Sequence, residues 1–283
     1  MSLTILSAIN NLVENTVTEM VDVTTGHTLA NAMGDSLEMY VKNLFAGSFE
    51  LQGSKRDEAF SKVFSYLGNQ NNPPDFMIRG GDAVEVKKIV NPYNALALNS
   101  SYPKHKLYSD DPRILRSCVA CEKWTERDIL YAVGSIKNGF LTNLVFVYGV
   151  DYAASREVYL RISETIEKGI SGIPDVSFAE TNELAKVKGV DPLGITDLRV
   201  RGMWSISNPL TVFANVYTPN KKAKFNFMAI IDNDKFSTLP VEEIRRFDSL
   251  LAAHSDLSIK DINVKDPDNP ANLKTAKLIT FFV

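Results

Sequence analysis

The sequence of 283 residues is long enough to bury one substantial hydrophobic core. Hydrophobic residues make up 45% of it and charged residues 23%, as in an ordinary globular protein, and the formal net charge is −3. This charge gives no bulk support for a nucleic-acid partner, so any DNA-binding surface has to be a local basic patch.

Segments that would place the protein in a membrane or outside the cell are not found in the sequence. No stretch approaches the roughly 20 consecutive apolar residues that a membrane-spanning helix needs. The amino terminus lacks the basic and apolar regions of a secretory signal peptide. The chain holds 2 cysteines, too few for a disulfide scaffold. We therefore expect a cytoplasmic protein that makes no membrane contact.

The first part of the chain is predicted to be helical, at residues 4–15 and 28–46. In the second of these helices, apolar side chains recur every three or four residues: Leu29, Met33, Leu37, Val41 and Leu44. Gly47 suits the position after its last turn. A third helix is predicted at residues 56–67, where Gly68 and a polar run would end it.

Short apolar or β-branched runs then predict strands at residues 75–78 and 83–89, joined by a hairpin turn at residues 79–82. Residues 91–125 are polar and irregular, and they are too many for a simple connection. Two further strands are predicted at residues 129–136 and 144–148, with Asn138-Gly139 in the turn between them.

The second half of the chain has the same mixed character. Helices are predicted at about 153–168 and 240–253, and strands at 197–206, 210–217, 225–232 and 276–283. No internal repeat or low-complexity linker divides the chain. This mixture predicts an α/β fold with a central mixed β-sheet flanked by helices.

The segment that carries chemistry runs from residue 74 to residue 87. Alternate side chains of a strand share a face, so Glu85 and Lys87 project together while the valines beside them point the other way. The turn at Gly80-Gly81 lets the chain double back, which brings Asp75 beside this pair. Two carboxylates and an ammonium group are thus predicted to converge at one point.

Such a group can hydrolyse a phosphodiester bond. Two carboxylates can hold Mg²⁺, which keeps several water ligands and accepts phosphate oxygens. The metal ion lowers the pKa of a bound water and screens the charge that develops during the reaction. Lys87 could orient or deprotonate the attacking water or stabilise the transition state, and the sequence leaves this choice open.

The step from Pro74-Asp75 to Glu85-Val86-Lys87 resembles the signature of the PD-(D/E)XK nucleases. The resemblance implies a restriction-endonuclease-like core, with Asp75 and Glu85 as metal ligands and Lys87 as a catalytic residue. In many nucleases of this superfamily an acidic residue on the preceding helix completes the metal site. Glu38 is the residue that occupies this position here.

Longer segments are similar to the NgoPII-type restriction endonucleases, namely residues 64–69, 72–88, 95–101 and 109–113. This resemblance implies a type II restriction endonuclease, a Mg²⁺-dependent homodimer that cuts double-stranded DNA at a short palindrome, GGCC. It also implies a cognate methyltransferase in the same host, not bound as a stable partner. We expect one nuclease domain over residues 1–283, with the catalytic core at about 28–150 and additional strands and loops for DNA recognition at about 151–283.

Recognition of guanine favours arginine and lysine, whose side chains donate hydrogen bonds to O6 and N7. The irregular segment after the catalytic strand supplies most of the candidate DNA contacts: Asn99, Ser100, Ser101, Lys104, Lys106, Arg113 and Arg116. A second cluster follows at Arg199 and Arg201, near Trp204. We predict that these residues contact bases or phosphates.

Several of the acidic and basic residues also have simpler interpretations. Asp75 and Glu85 could be ordinary surface carboxylates of a hairpin. Asp82 is more simply a turn residue than a metal ligand. Lys88 is the rival of Lys87, but strand alternation places it on the opposite face from Glu85.

The cysteines and the general function each leave an alternative. Cys118 and Cys121 have the spacing of a zinc knuckle, but a second cysteine pair is missing, so packed or free thiols are the better interpretation. A repair or recombination nuclease could use the same core, although the large part of the chain outside the hairpin fits base-reading and dimer elements better. A catalytically inactive DNA-binding relative usually lacks one of the acidic or lysine positions, and all three are present here.

Overall fold

The computed structural model describes residues 3–20, 29–69, 72–174, 177–179 and 184–283. The helices in these ranges are α1 (Ile5–Glu14), α2 (Leu29–Ala46), α3 (Gly53–Val63), α4 (Arg116–Ala120), α5 (Gly149–Tyr152), α6 (Arg156–Ser171), α7 (Pro209–Val212), α8 (Asn233–Ser237) and α9 (Val241–Ala253). The strands are β1 (Phe64–Asn69), β2 (Asn72–Ile78), β3 (Ala83–Ile89), β4 (Leu96–Asn99), β5 (Lys106–Tyr108), β6 (Glu126–Lys137), β7 (Phe140–Tyr148), β8 (Ser177–Ala179), β9 (Ala185–Lys188), β10 (Leu198–Val200), β11 (Trp204–Ile206), β12 (Asn226–Asp232), β13 (Leu257–Lys265) and β14 (Leu273–Phe282). Within these ranges, no helix combines the length and apolar character of a membrane span.

A large mixed sheet runs through the described part of the protein in the order β1-β2-β3-β6-β7-β12-β14-β13, and β5 also pairs with β6. The pairs β3–β6 and β7–β12 are parallel, whereas the remaining pairs are antiparallel. Two smaller sheets, β8-β9-β10 and β4-β11, lie outside it. The predicted α/β fold with a central mixed sheet flanked by helices is therefore confirmed, and strands from both halves of the chain build the sheet.

Each face of the main sheet carries its own hydrophobic core. On one face, side chains of α2 and α9 such as Leu44 and Phe247 pack in the same cluster as Phe146 of the sheet. On the other face, the irregular segment 91–125 supplies Leu107 and Ile114. Burial of each such side chain contributes roughly 1.5–3 kcal/mol. The segment 91–125, predicted as irregular, contains β4, β5 and α4 and contributes to the core on this face of the sheet.

The predicted helix at residues 56–67 is wrong in its last part. Helix α3 ends at Val63, and the next residues form the edge strand β1, which pairs with β2. Phe64 and Tyr66 are buried with a partly exposed residue between them, which is the period of a strand. Gly68 does not end a helix: a Cβ atom there would lie 2.3 Å from the carbonyl oxygen of Pro74. Glycine therefore lets β1 approach β2 directly beside the predicted catalytic aspartate.

Two strand predictions in the second half of the chain are also wrong, and the strands β8, β9 and β13 were not predicted. Residues 197–206 form the short strands β10 and β11, which belong to different sheets. Residues predicted as a strand at 210–217 begin inside α7, because the Asn208 side chain caps this helix and Pro209 starts it. Strand β13 was not predicted because it is an edge strand with largely exposed polar positions. The short elements β4, β5, α4, α5 and α8 were not predicted either. The remaining helices and strands match the prediction within a few residues, residue 28 lying outside the described residues.

A network of ion pairs anchors the turn between β2 and β3. Lys235 of α8 donates to Asp82 Oδ1 at 2.6 Å and to Asp128 Oδ2 at 2.7 Å. The hydroxyl of Tyr148 donates to Asp82 Oδ2 at 2.7 Å. Burial raises the pKa of Asp82, and the contact with Lys235 opposes this shift. Both oxygens of Asp82 are engaged, so this residue fastens the hairpin turn to α8 and does not face a metal site.

Replacement of the central lysine of this network should destabilise the fold. Lys235→Met leaves two carboxylates without their cation. We expect the free energy of unfolding to fall by about 3 kcal/mol. This is the lower end of the range for a broken buried pair, because Asp128 is partly exposed. Urea unfolding followed by circular dichroism measures this loss. Lys62→Met is the control, because the pair of Lys62 with Glu58 is exposed and the unfolding midpoint should not change. A Lys235→Met variant as stable as the control would contradict the anchoring role.

The two cysteines have local partners. Cys118 is buried, and its Sγ donates to the Sδ atom of Met77 at 3.3 Å. The Sγ of Cys121 lies 3.0 Å from the carbonyl oxygen of Cys118. His105 is the third residue in this part of the sequence whose side chain could bind zinc. Its Nδ1 atom lies 3.3 Å from the carbonyl oxygen of Ala153. These contacts support packed thiols and not a zinc site.

Burial raises the pKa of the Cys118 thiol to about 12, so this thiol should stay unreactive in the folded protein. Ellman's reagent at about pH 8 should therefore modify at most one cysteine in the native protein and both after denaturation in urea. The absorbance of the released thionitrobenzoate measures the count. Rapid modification of both thiols in the native protein would show that Cys118 is not protected.

Candidate active site

The hairpin β2–β3 brings together three of the predicted catalytic residues. The backbone amide of Val86 donates to Asp75 Oδ2 at 2.6 Å, which fixes this carboxylate beside β3. On β3 itself, Lys87 Nζ lies 2.6 Å from Glu85 Oε1. Two carboxylates and one ammonium group therefore meet at one point of the structure.

The local sequence explains this geometry. Gly80 has a φ of +65°, which glycine adopts at no steric cost and which the tight turn requires. Phe76 and Val84 pair across the hairpin and are both buried, so the residues next to them, Asp75 and Glu85, share the opposite face. Strand β3 pairs with β6 along its whole length, which keeps the site on an interior strand.

Burial and the neighbouring charges shift the pKa values of Asp75 and Lys87. Burial raises the pKa of Asp75 well above its usual value, and the charge of Glu85 raises it further, while Lys87 opposes the shift. Burial lowers the pKa of Lys87, but the charges of Glu85 and Asp75 outweigh this effect, and the pKa is raised. The cluster is thus short of positive charge, and a bound cation would relieve the repulsion.

Glu38 of α2 acts on the same cluster. Its charge contributes to the raised pKa of both Asp75 and Lys87, and α2 packs against β3. Lys42, one helical turn later, lies 2.5 Å from Glu38 Oε1 and 5.9 Å from the centre of the Phe76 ring. The structure therefore places Glu38 near the hairpin β2–β3, and Lys42 forms an ion pair with Glu38.

The donor set fits a hard metal ion. Glu85 Oε2 is buried and has no hydrogen-bond partner, which is rare for a carboxylate oxygen in a folded protein. Asp75 and Glu38 add further carboxylate oxygens nearby. In the described part of the chain, however, no three acidic, histidine or cysteine side chains already lie in a ligating arrangement. Lys87 and Lys42 each pair with one oxygen, Oε1 of Glu85 and Oε1 of Glu38, so Glu85 Oε2 is still available to a cation.

The predicted DNA contacts differ in exposure. Those with exposed side chains are Asn99, Ser100, Arg116, Arg199 and Arg201. Ser101, Lys106 and Arg113 are partly buried. Lys106 pairs with Glu126 at 2.7 Å, and the Arg113 guanidinium lies 5.0 Å from the centre of the Tyr102 ring. The Ser101 Oγ, in contrast, is buried and has no hydrogen-bond partner, so this structure does not present it to DNA.

The prediction that Lys104 contacts DNA does not agree with its position. This lysine is only 4% exposed. Its Nζ lies 2.5 Å from Asp111 Oδ2 and 3.7 Å from the centre of the Tyr102 ring. Because the ammonium group is paired in the interior, it cannot reach a phosphate without breaking that pair. We therefore remove Lys104 from the set of proposed DNA contacts.

Strand pairing joins the two predicted recognition clusters. Strand β4 pairs with β11, and Asn99 lies opposite Trp204. The rings of Tyr102 and Trp204 meet edge to face with centres 6.4 Å apart. Ser101 also lines the same small cavity as Glu85. The segments around residues 100 and 200 are therefore neighbours, and both adjoin the candidate active site.

Three residues of the site were not predicted from the sequence. Lys42 could have been found, because a glutamate and a lysine four residues apart on a helix commonly pair. Asp111 and Tyr131 give no signal in the sequence, since their contacts with Lys104 depend on how the irregular segment packs against β6.

Comparison with known proteins shows the family of the chain. The family model described as NgoPII restriction endonuclease matches residues 3–265. The type II restriction enzyme NgoPII of Neisseria gonorrhoeae is 50% identical over 279 residues, which cover 98% of this chain and 99% of that relative. No solved structure matches the chain. The chain therefore belongs to the NgoPII family of type II restriction endonucleases.

Proposed function

We propose that this restriction endonuclease hydrolyses duplex DNA with an active site built from Asp75, Glu85, Lys87 and Glu38. The observation that carries the proposal is the buried meeting of two carboxylates with one ammonium group on the hairpin β2–β3. Buried charges of like sign are unfavourable for stability and are typical of sites that bind a cation or transfer protons. The arrangement therefore favours a catalytic role over that of surface carboxylates in a hairpin.

Mg²⁺ is the cofactor that best fits these residues. Asp75, Glu85 and Glu38 offer carboxylate oxygens, the ligands that a hard cation prefers. The histidine and cysteine side chains nearest in the sequence, His105 and Cys118, have other partners. The bound ion would supply an activated water and would screen the charge of the phosphate.

The side chains of the protein have distinct tasks in the proposed reaction. Asp75 is fixed by the Val86 amide and keeps its carboxylate in place while DNA binds. Lys87 donates hydrogen bonds that orient the attacking water or stabilise the charge growing on the phosphoryl oxygens. The attacking water gives up one proton as its oxygen forms a bond to phosphorus, one bridging P–O bond breaks, and the leaving oxygen takes up a proton.

The proposed substrate is a short palindrome in double-stranded DNA, GGCC, cut in the cytoplasm. The proposed DNA contacts are Asn99, Ser100, Lys106, Arg113, Arg116, Arg199 and Arg201. Arginine side chains suit the O6 and N7 acceptors of guanine. A palindrome is matched by a two-fold homodimer in which each subunit cuts one strand. A cognate methyltransferase would protect the host genome without forming a stable complex.

The role of Lys87 can be tested against its neighbour on the same strand. Lys87→Ala should slow cleavage about a hundredfold or more, because loss of one group that stabilises transition-state charge typically has this effect. Lys88→Ala is the matched control: its side chain projects from the other face of β3, and cleavage should change by no more than about threefold. Single-turnover cleavage of a labelled duplex measures both rates. An equal loss in the two variants would reject the assignment.

The metal and the sequence specificity can be tested together. The purified protein, incubated with a sequenced plasmid and Mg²⁺, should give discrete fragments that end at GGCC, and EDTA should abolish cleavage because the carboxylates then lack their ion. Sequencing of the fragment ends identifies the site. Discrete ends at another sequence would reject GGCC alone. Cleavage that persists in EDTA would reject the metal site.

A further inference from the structure

Lys104 is a buried lysine that the proposed mechanism does not yet use. Its side chain is 5% exposed, and that of its partner Asp111 is 7% exposed. The ammonium group also lies over the face of the Tyr102 ring, 3.7 Å from its centre. A charged pair this deep in a protein is costly to desolvate and is weak support for stability. Its place in the fold therefore requires another explanation.

The Lys104–Asp111 ion pair lies next to Glu85. Glu85, Ser101, Lys104 and Tyr131 line one cavity of about 20 Å³, too small for any part of a substrate. Glu85 Oε2 and Ser101 Oγ are both buried without a hydrogen-bond partner. Burial lowers the pKa of Lys104, while the charges of Asp111 and Glu85 oppose this shift. The carboxylate of Glu85 thus has Lys87 on one side and a second ammonium group within electrostatic reach on the other.

The backbone around Lys104 is fixed to the strand that flanks Glu85. Tyr131 lies opposite Glu85 in the pairing of β3 with β6. Its hydroxyl accepts from the Lys104 amide at 2.6 Å and donates to the Lys104 carbonyl oxygen at 3.2 Å. A Cβ atom on Gly149 would lie 2.4 Å from that same carbonyl oxygen, so the segment is closely packed on both sides. The position of the ammonium group relative to Glu85 is therefore well defined.

We propose that Lys104 is a positioning residue for Glu85 and that Asp111 keeps it from becoming a competitor of the metal ion. The Lys104 ammonium attracts the Glu85 carboxylate and limits its rotation. Because Asp111 holds Nζ at 2.5 Å, Lys104 does not pair directly with Glu85, as Lys87 does. Lys104 thereby orients the carboxylate while leaving an oxygen open for the ion. This inference rests on the proposed metal site at Asp75, Glu85 and Glu38.

The test removes the pair without leaving a lone buried charge. Lys104→Met/Asp111→Asn should bind Mn²⁺, used as the probe ion, at least fivefold more weakly than the wild-type protein, as measured by calorimetry without DNA. The matched control is Lys274→Met/Asp151→Asn/Asp232→Asn, which removes another lysine together with both of its carboxylate partners, and its Mn²⁺ affinity should stay within twofold. The Mg²⁺ concentration for half-maximal cleavage should rise in parallel in the first variant only.

Single substitutions at Lys104 separate charge from packing. Lys104→Gln can still donate to Asp111 but has lost the charge, and it should weaken Mn²⁺ binding at least threefold. Lys104→Arg keeps the charge and should stay within twofold of the wild-type protein. If Lys104→Gln binds Mn²⁺ normally, or if Lys104→Arg is as weak as Lys104→Gln, the proposal is overturned. If the wild-type protein binds no Mn²⁺, the failure belongs to the proposed metal site.

Discussion

Two carboxylates buried side by side are the constraint on which the rest of the site depends. Asp75 and Glu85 have lost most of their hydration and repel each other, a cost of several kcal/mol per ion if nothing compensates. The surrounding groups provide the compensation: the Val86 amide binds one carboxylate, and Lys87 pairs with the other. Because Lys87 lies on the same strand, the local hairpin accounts for most of the arrangement. The remaining deficit of positive charge is what makes a divalent cation a suitable ligand.

The sheet gives this hairpin the rigidity that catalysis needs. Strand β3 lies between β2 and β6, and the turn at its beginning is tied to α8 through Lys235. A catalytic group has to be held within a fraction of an ångström of its working position by its neighbours. An interior strand with an anchored turn meets this requirement better than a loop. The recognition segments, in contrast, lie on short strands and irregular chain, where side chains can adapt to DNA.

The catalytic hairpin could be predicted from the sequence because its determinants are local. Strand alternation places Glu85 and Lys87 on one face, and Gly80 allows the turn, so a short segment contains the whole pattern. The burial of Lys104 could not be predicted, because it depends on Asp111 and on β6, which come later in the chain. For the same reason β1 was mistaken for the end of a helix: only its pairing with β2 determines its conformation. Local patterns thus predicted the grouping of Asp75, Glu85 and Lys87 better than they predicted the segment that packs over the sheet.

The pairing of β4 with β11 joins segments that are far apart in the sequence, around Asn99 and Trp204. The first of these segments continues into Ser101, which lines the same cavity as Glu85. A change of target sequence by exchange of one loop between relatives would therefore also disturb the partner strand and the back of the active site. The residues proposed for recognition and for catalysis are therefore structurally linked, and we expect them to evolve by coordinated substitutions in both segments and not by transfer of a single module.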